Sequence, residues 1–106
     1  MSVRERLDGV SIDTKANVYF DGRCVSHTIR LADGTRKSVG VILPAKKLTF
    51  DTAAPEKMEL VAGRCRVKLP GSAAQEFGAG QSFDVPGKSS FEIEALEPLH
   101  YICHFG

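Results

Sequence analysis

The sequence predicts an all-β domain, and three observations carry that prediction. Apolar and polar residues alternate with a period of two over short runs, as in strands, whose side chains point to opposite faces in turn. Turn dipeptides separate the runs at close intervals: Asp8-Gly9, Asp21-Gly22, Asp33-Gly34, Pro70-Gly71 and Pro86-Gly87, with Ala62-Gly63 between two alternating runs. No stretch sustains a helical period. Many short strands with regular turns imply a sandwich or a small closed barrel.

Residues 1–16 are polar and weakly patterned, and read as a loosely ordered arm ahead of a single domain over residues 17–106. In the first run Val25, His27, Ile29 and Leu31 oppose Ser26, Thr28 and Arg30. The apolar half is expected to face the core, with His27 as a satisfied core histidine. The Asp33-Gly34 turn leads into Arg36, Lys37 and Ser38. Leu48, Phe50 and Thr52 then oppose Lys47, Thr49 and Asp51, and Pro55 marks a corner. Met58 and Leu60 oppose Glu59. Cys65, Val67 and Leu69 oppose Arg64, Arg66 and Lys68, a basic stripe without aromatics that reads as a solvated strand face. Phe91, Ile93 and Ala95 oppose Glu92 and Glu94; beyond Pro98, Tyr101, Cys103 and Phe105 oppose His100, Ile102 and His104.

Composition narrows the function classes. The 106 residues suit one hydrophobic core. A net charge of +1 gives no general attraction to nucleic acid or anionic membranes. No apolar run approaches the ~18–20 residues of a membrane span, and the N-terminus lacks the apolar segment of a secretory leader. Three scattered cysteines, Cys24, Cys65 and Cys103, read as reduced thiols of a cytoplasmic protein.

One spacing bears on fold and chemistry together. Glu56, six intervening residues and Gly63 resemble the end of the first cupin motif; Gly80, five residues and Pro86 resemble the start of the second. The resemblance implies a conical cupin β-barrel, a double-stranded β-helix. At the positions where cupins place metal-binding histidines stand Phe50, Thr52 and Phe91. Metal binding needs several N, O or S donors converging at ~2.0–2.2 Å, and a lone Glu56 cannot supply them. The expected site is a metal-free pocket with aromatic walls, which suit a flat nucleobase, and a carboxylate, which accepts from sugar hydroxyls.

Five segments sharpen this. Residues Lys37–Ile42, Leu48–Met58, Val67–Gly71, Ala79–Phe91 and Tyr101–Cys103 closely resemble the small bacterial pyrimidine/purine nucleoside phosphorylases, over residues 18–105. The segments Phe50-x-Thr52-x-x-Pro55-Glu56-x-Met58 and Phe83-x-Val85-Pro86-Gly87-x-Ser89-x-Phe91 carry most of the likeness. It departs at Ile42, Ala74 and His104, where relatives often have Met, Trp and Arg. The resemblance implies a homodimeric cytoplasmic enzyme without a cofactor. The implied reaction is nucleoside plus phosphate to free base and pentose 1-phosphate.

Such a reaction needs a phosphate beneath the anomeric carbon, fixed sugar hydroxyls and stabilisation of the departing base. Phosphate is itself the nucleophile, which fits a chain without a Ser-His-Asp or Cys-His signature. Glu56 is the candidate for the sugar. Phe50, Thr52 and Phe91 are candidates for the pocket wall, with the Tyr101 hydroxyl in reach of it. Arg36, Lys37 and Ser38, with His104 from the last strand, are candidates for phosphate, because Arg chelates it bidentately and Lys acts as a point charge. Two other readings remain at this stage. One is a non-catalytic cupin that binds a sugar or nucleoside; the other is a metal cupin using His27, His100 and His104.

Overall fold

The computed structural model describes residues 6–105. Eleven strands follow one another: β1 (Ser11–Ile12), β2 (Asn17–Tyr19), β3 (Cys24–Arg30), β4 (Arg36–Ile42), β5 (Leu48–Asp51), β6 (Glu56–Ala62), β7 (Arg64–Lys68), β8 (Gln75–Gly78), β9 (Ser82–Val85), β10 (Ser90–Ala95) and β11 (Leu99–Phe105). One short 3-10 turn, Phe20–Gly22, interrupts them. The described residues contain no α-helix, and the all-β expectation holds.

Seven strands form one sheet in the order β1-β3-β4-β11-β6-β9, with β2 also paired to β3; the other four form a second sheet, β5-β10-β7-β8. Among the described residues, strand pairing does not join the two sheets into a continuous barrel. Their facing surfaces bury one core, which includes Ile42, Leu48, Leu60, Val67, Phe83, Val85, Ile93 and Leu99. Complete burial of a large apolar side chain contributes ~1.5–3 kcal/mol, so this set is the main source of stability. The basic stripe is solvated, as expected. Arg64 pairs with Glu76 and Glu97, and Arg66 with Glu76 and Glu94, all at the surface.

The first run departs from the reading of its pattern. In β3 the inward residues are Cys24 and Ser26, both buried, with Thr28 on the same face. Val25, His27 and Ile29 point the other way, into a groove of about 650 Å³ on the outer side of the larger sheet. The expectation of an inward Val25-His27-Ile29 face is therefore corrected. Residues of the arm account for the reversal: Leu7, Val10 and Ile12 line the same groove and give the outer face apolar company. β1 pairs with β3 through Ser11–Arg30 and Ile12–Ile29, and Asp13 binds Arg30 at 3.0 Å. His27 is satisfied from the arm, its Nδ1 lying 3.1 Å from the Asp13 carbonyl.

Candidate functional site

Three adjacent strands of the larger sheet place small or polar residues side by side on its inner face. Ser26 of β3 lies opposite Gly40 of β4, and Gly40 lies opposite Tyr101 of β11. A Cβ on Gly40 would stand 2.9 Å from the Tyr101 hydroxyl and 2.8 Å from the Ser26 Cβ. The missing side chain is what lets the Tyr101 ring lie across β4. Its hydroxyl then meets Cys24 Sγ at 3.4 Å. Burial, first of all, pushes the phenol pKa up, so the hydroxyl stays neutral.

One register step along, Ser38 of β4 lies opposite Cys103 of β11. The Cys103 thiol donates to Glu56 Oε1 at 3.5 Å. Glu56 opens β6 opposite Phe105. Burial raises its pKa, and the Cys103 thiol partly offsets that rise. Across the interior, Phe50 and Phe91 are register partners in β5 and β10 and stack with centroids 5.7 Å apart. These residues surround a cavity of about 150 Å³, whose lining also includes Tyr19, Asp51, Met58 and Phe105. Glu56 additionally borders a larger groove of about 620 Å³, lined by Pro55, Asp84, His104 and Phe105 among others. One carboxylate thus stands between an aromatic cavity and a polar groove.

The sequence candidates divide between the two faces of the larger sheet. Glu56, Phe50, Phe91, Tyr101 and Ser38 meet in the cavity. Arg36 has the parity of Ser38, and its guanidinium lies 4.8 Å from the centre of the Phe105 ring. Lys37 and His104 have the opposite parity. Lys37 Nζ lies 2.7 Å from His104 Nδ1, and His104 Nε2 lies 2.9 Å from Glu59 Oε1, a chain on the outer face. Thr52 is buried, and its hydroxyl is occupied by the adjoining turn. It donates to the Pro86 carbonyl at 2.7 Å and accepts from the Ser89 amide at 3.0 Å.

A family model described as pyrimidine/purine nucleoside phosphorylase matches residues 14–105. The chain belongs to the pyrimidine/purine nucleoside phosphorylase family. A relative of that name from Azoarcus sp. (strain BH72) is 65% identical over 108 residues, covering 100% of both chains. Among solved structures, a protein of unknown function from Acinetobacter sp. ADP1 superposes with a TM-score of 0.93 at 50% identity, covering 95% of this chain and 98% of that one. A Schizosaccharomyces pombe cupin domain superposes with a TM-score of 0.62 at 10% identity, covering 78% of this chain and 61% of that one. The fold is that of a cupin, in an open two-sheet form.

Within this phosphorylase fold the residues at the cupin ligand positions do not fit a metal. Phe50 and Phe91 carry no donor, and the Thr52 hydroxyl is held by its turn. Among the described residues no three His, Cys, Asp or Glu side chains are grouped to hold an ion. His27 and His104 are tied to other partners on the outer face. No helix among the described residues is long and apolar enough to cross a membrane.

Sequence reading missed several cavity residues: Ser26, Tyr19, Asp51 and Phe105. A signal for Ser26 was present. Cys24, Ser26 and Thr28 are all small and uncharged, whereas the solvated faces of the other runs carry Lys, Arg or Glu. On this face a charge enters only at Arg30, the last residue of the strand, and its small, uncharged part suits a lined cavity better than open water. Tyr19 had no such signal, because its place depends on a neighbour in the opposite sheet.

Proposed function

We propose that the chain cleaves purine and pyrimidine nucleosides with inorganic phosphate, releasing free base and pentose 1-phosphate, at the cavity between the two sheets. The observation that carries this reading is the position of Glu56, half-buried between a stacked aromatic pair and a polar groove, in a chain related over its full length to phosphorylases. The Phe50–Phe91 side takes the base. Glu56 accepts from the sugar hydroxyls; these donors offset the partial desolvation that raises its pKa. Arg36, at the rim above Phe105, holds phosphate through its forked N–H groups, with Ser38 deeper on the same face. A phosphate oxygen attacks the anomeric carbon, the glycosidic C–N bond breaks, its electron pair goes to the base, and a proton from solvent completes the neutral product. The reaction uses phosphate as nucleophile and needs neither a metal nor a covalent enzyme intermediate.

In this proposal Lys37 and His104 leave the phosphate contact to Arg36: Lys37 is turned to His104, and His104, which also borders the groove beside Glu56, is held by Lys37 and Glu59. Thr52 holds the Pro86–Ser89 turn in place behind the aromatic pair. Homodimeric association in the cytoplasm is part of the same proposal and rests on the family resemblance. The test is a panel of purine and pyrimidine nucleosides incubated with and without phosphate, with base release followed by ultraviolet absorbance or chromatography. Release should require phosphate, proceed irreversibly with arsenate and survive exhaustive chelation. A purified protein that binds nucleosides yet releases no base under any of these conditions would be a binding protein instead.

A further inference from the structure

The cavity alone is too small to enclose the molecule the proposed reaction must hold. At about 150 Å³ it reaches only half the lower end of the ~300–1,000 Å³ typical of small-molecule sites. A base seated wholly between the sheets would have to displace part of the wall. Most of that wall is built into sheets: Phe50, Phe91, Tyr101, Cys103 and Glu56 all sit in paired strands. Tyr19 differs. It ends β2 opposite Cys24, at the tip of a hairpin whose loop is residues 20–23. Among the described residues β2 pairs only with β3.

The hairpin tip has unusual features. Phe20 and Asp21 have φ of 52° and 54°, the left-handed region that costs any residue with a Cβ, and Gly22 continues it at 92°. Tyr19 and Phe20 remain 44% and 38% exposed, although both are large and aromatic. Both also reach across to the other sheet and touch one ring. Phe20 meets Phe50 edge to face at 5.2 Å, and Tyr19 meets the same ring at 6.0 Å. The tip is therefore a strained, lightly anchored bridge resting on the Phe50 side of the cavity, where Tyr19 forms part of the lining.

We infer that the hairpin tip Tyr19–Gly22 is a lid that opens to admit a nucleobase and closes on it, Tyr19 and Phe20 exchanging their contact with Phe50 for contact with the base. The ligand class is a flat aromatic heterocycle. Aromatic side chains bind any such base through its π face, which suits purines and pyrimidines alike. The inference rests on the proposed phosphorylase site but concerns binding, and it is tested apart from turnover.

The protein contains no tryptophan, so Phe20→Trp introduces a single indole fluorophore at the lid. Titration with uridine, adenosine and free uracil should change its emission saturably, while pentose 1-phosphate alone should leave it unchanged. A Phe20→Trp protein that folds and shows no emission change with any base or nucleoside overturns the lid. Base-dependent change without phosphorolysis leaves the lid standing and removes the enzymatic reading. Steady-state kinetics supply the second measurement. Tyr19→Ala and Phe20→Ala should raise the KM for nucleoside ~5–150-fold, the range expected for losing one base–aromatic stack. The KM for phosphate should stay within about twofold, and Phe20→Tyr should restore the nucleoside value. Equal losses for both substrates, or no rescue by Phe20→Tyr, would mean that the tip only supports the fold, and would overturn the inference.

Discussion

The thiol of Cys103 donates to the carboxylate of Glu56 across 3.5 Å, joining a residue of β11 to one of β6 inside the cavity. The contact is the only hydrogen bond to the Glu56 carboxylate that the geometry shows among the described residues, and burial raises the Glu56 pKa despite it. A carboxylate so placed has acceptor capacity to spare, which sugar hydroxyls can use. Glu56→Gln should keep the fold and lower kcat/KM for nucleoside ~10–150-fold, the equivalent of one charge-assisted hydrogen bond. The same substitution should raise thermal stability at neutral pH. A carboxyl whose folded pKa exceeds its unfolded value binds protons more tightly when folded, so its stabilising effect is present below the unfolded pKa and is lost as pH rises through the folded one. The stability difference between Glu56→Gln and the parent should therefore shrink on acidification below the ordinary carboxylate range. Melting curves over a pH series, alongside initial rates, check both statements; an unchanged rate in a folded Glu56→Gln protein would reduce Glu56 to a structural role.

The three thiols should be silent in the folded protein. Cys24, Cys65 and Cys103 are all free and buried. Desolvation is the leading cause that pushes Cys65 up to about 11 and Cys103 up to about 12, the neighbouring Glu56 carboxylate adding to the latter. Little thiolate exists near neutrality, and the thiolate is the reactive form. A disulfide reagent at pH 8 should modify none of the three in the native protein and all three in denaturant. The linkage is equally definite. Above the ordinary thiol value the unfolded chain loses these protons first, so stability should fall as pH climbs from about 9 towards 12. Chemical denaturation across that range should show a falling midpoint.

Gly40 should not tolerate a methyl group. A Cβ there meets the Val25 carbonyl oxygen at 2.6 Å, the Ser26 Cβ at 2.8 Å and the Tyr101 hydroxyl at 2.9 Å. The tyrosine could swing away, but the Val25 carbonyl belongs to the paired backbone of β3. Gly40→Ala should cost ~1–3 kcal/mol, as overpacking does, and push Tyr101 into the cavity. Tyr101→Phe, which removes only the hydroxyl, should be milder, and the double variant should recover part of the loss if the hydroxyl contact is a major part of the clash. Denaturant midpoints for the three variants measure the coupling.

Arg36 and Lys37 are adjacent in sequence but face opposite sides of β4, and substitution should separate them. Arg36→Ala should raise the KM for phosphate ~10-fold or more, with a smaller effect on nucleoside, since a bidentate charge-assisted contact is lost. Lys37→Ala should leave both constants within about twofold. Its ammonium is directed to His104 on the outer face. The reverse ranking, with Lys37 dominating phosphate binding, would move the anion subsite to the outer groove.

Much of the domain was legible from the chain itself. Period-two alternation identifies β5, β6, β7 and β10, because each puts a strongly apolar set against charged residues and only one face of such a strand can be buried. The Glu56–Gly63 and Gly80–Pro86 spacings fix turn geometry, which is local, so they carried the cupin reading without help from distant parts. Their replaced histidine positions, Phe50 and Phe91, already implied an aromatic interior.

What the pattern could not decide was the direction of a strand whose two faces differ little. β3 offers Cys24, Ser26 and Thr28 on one side and Val25, His27 and Ile29 on the other; alternation says that the sides differ, not which one is inward. The answer came from two tertiary facts, the arm covering the outer face and the cavity accepting small polar groups on the inner one. The same holds for Lys37 and His104, cationic candidates in the sequence that the sheet register carries to the outer face. Tyr19 and Phe20 were invisible for a related reason. Their role depends on a hairpin tip reaching Phe50 in the opposite sheet, a contact between residues about thirty positions apart. No local preference encodes such a contact, because its energy exists only once the two sheets have closed on each other.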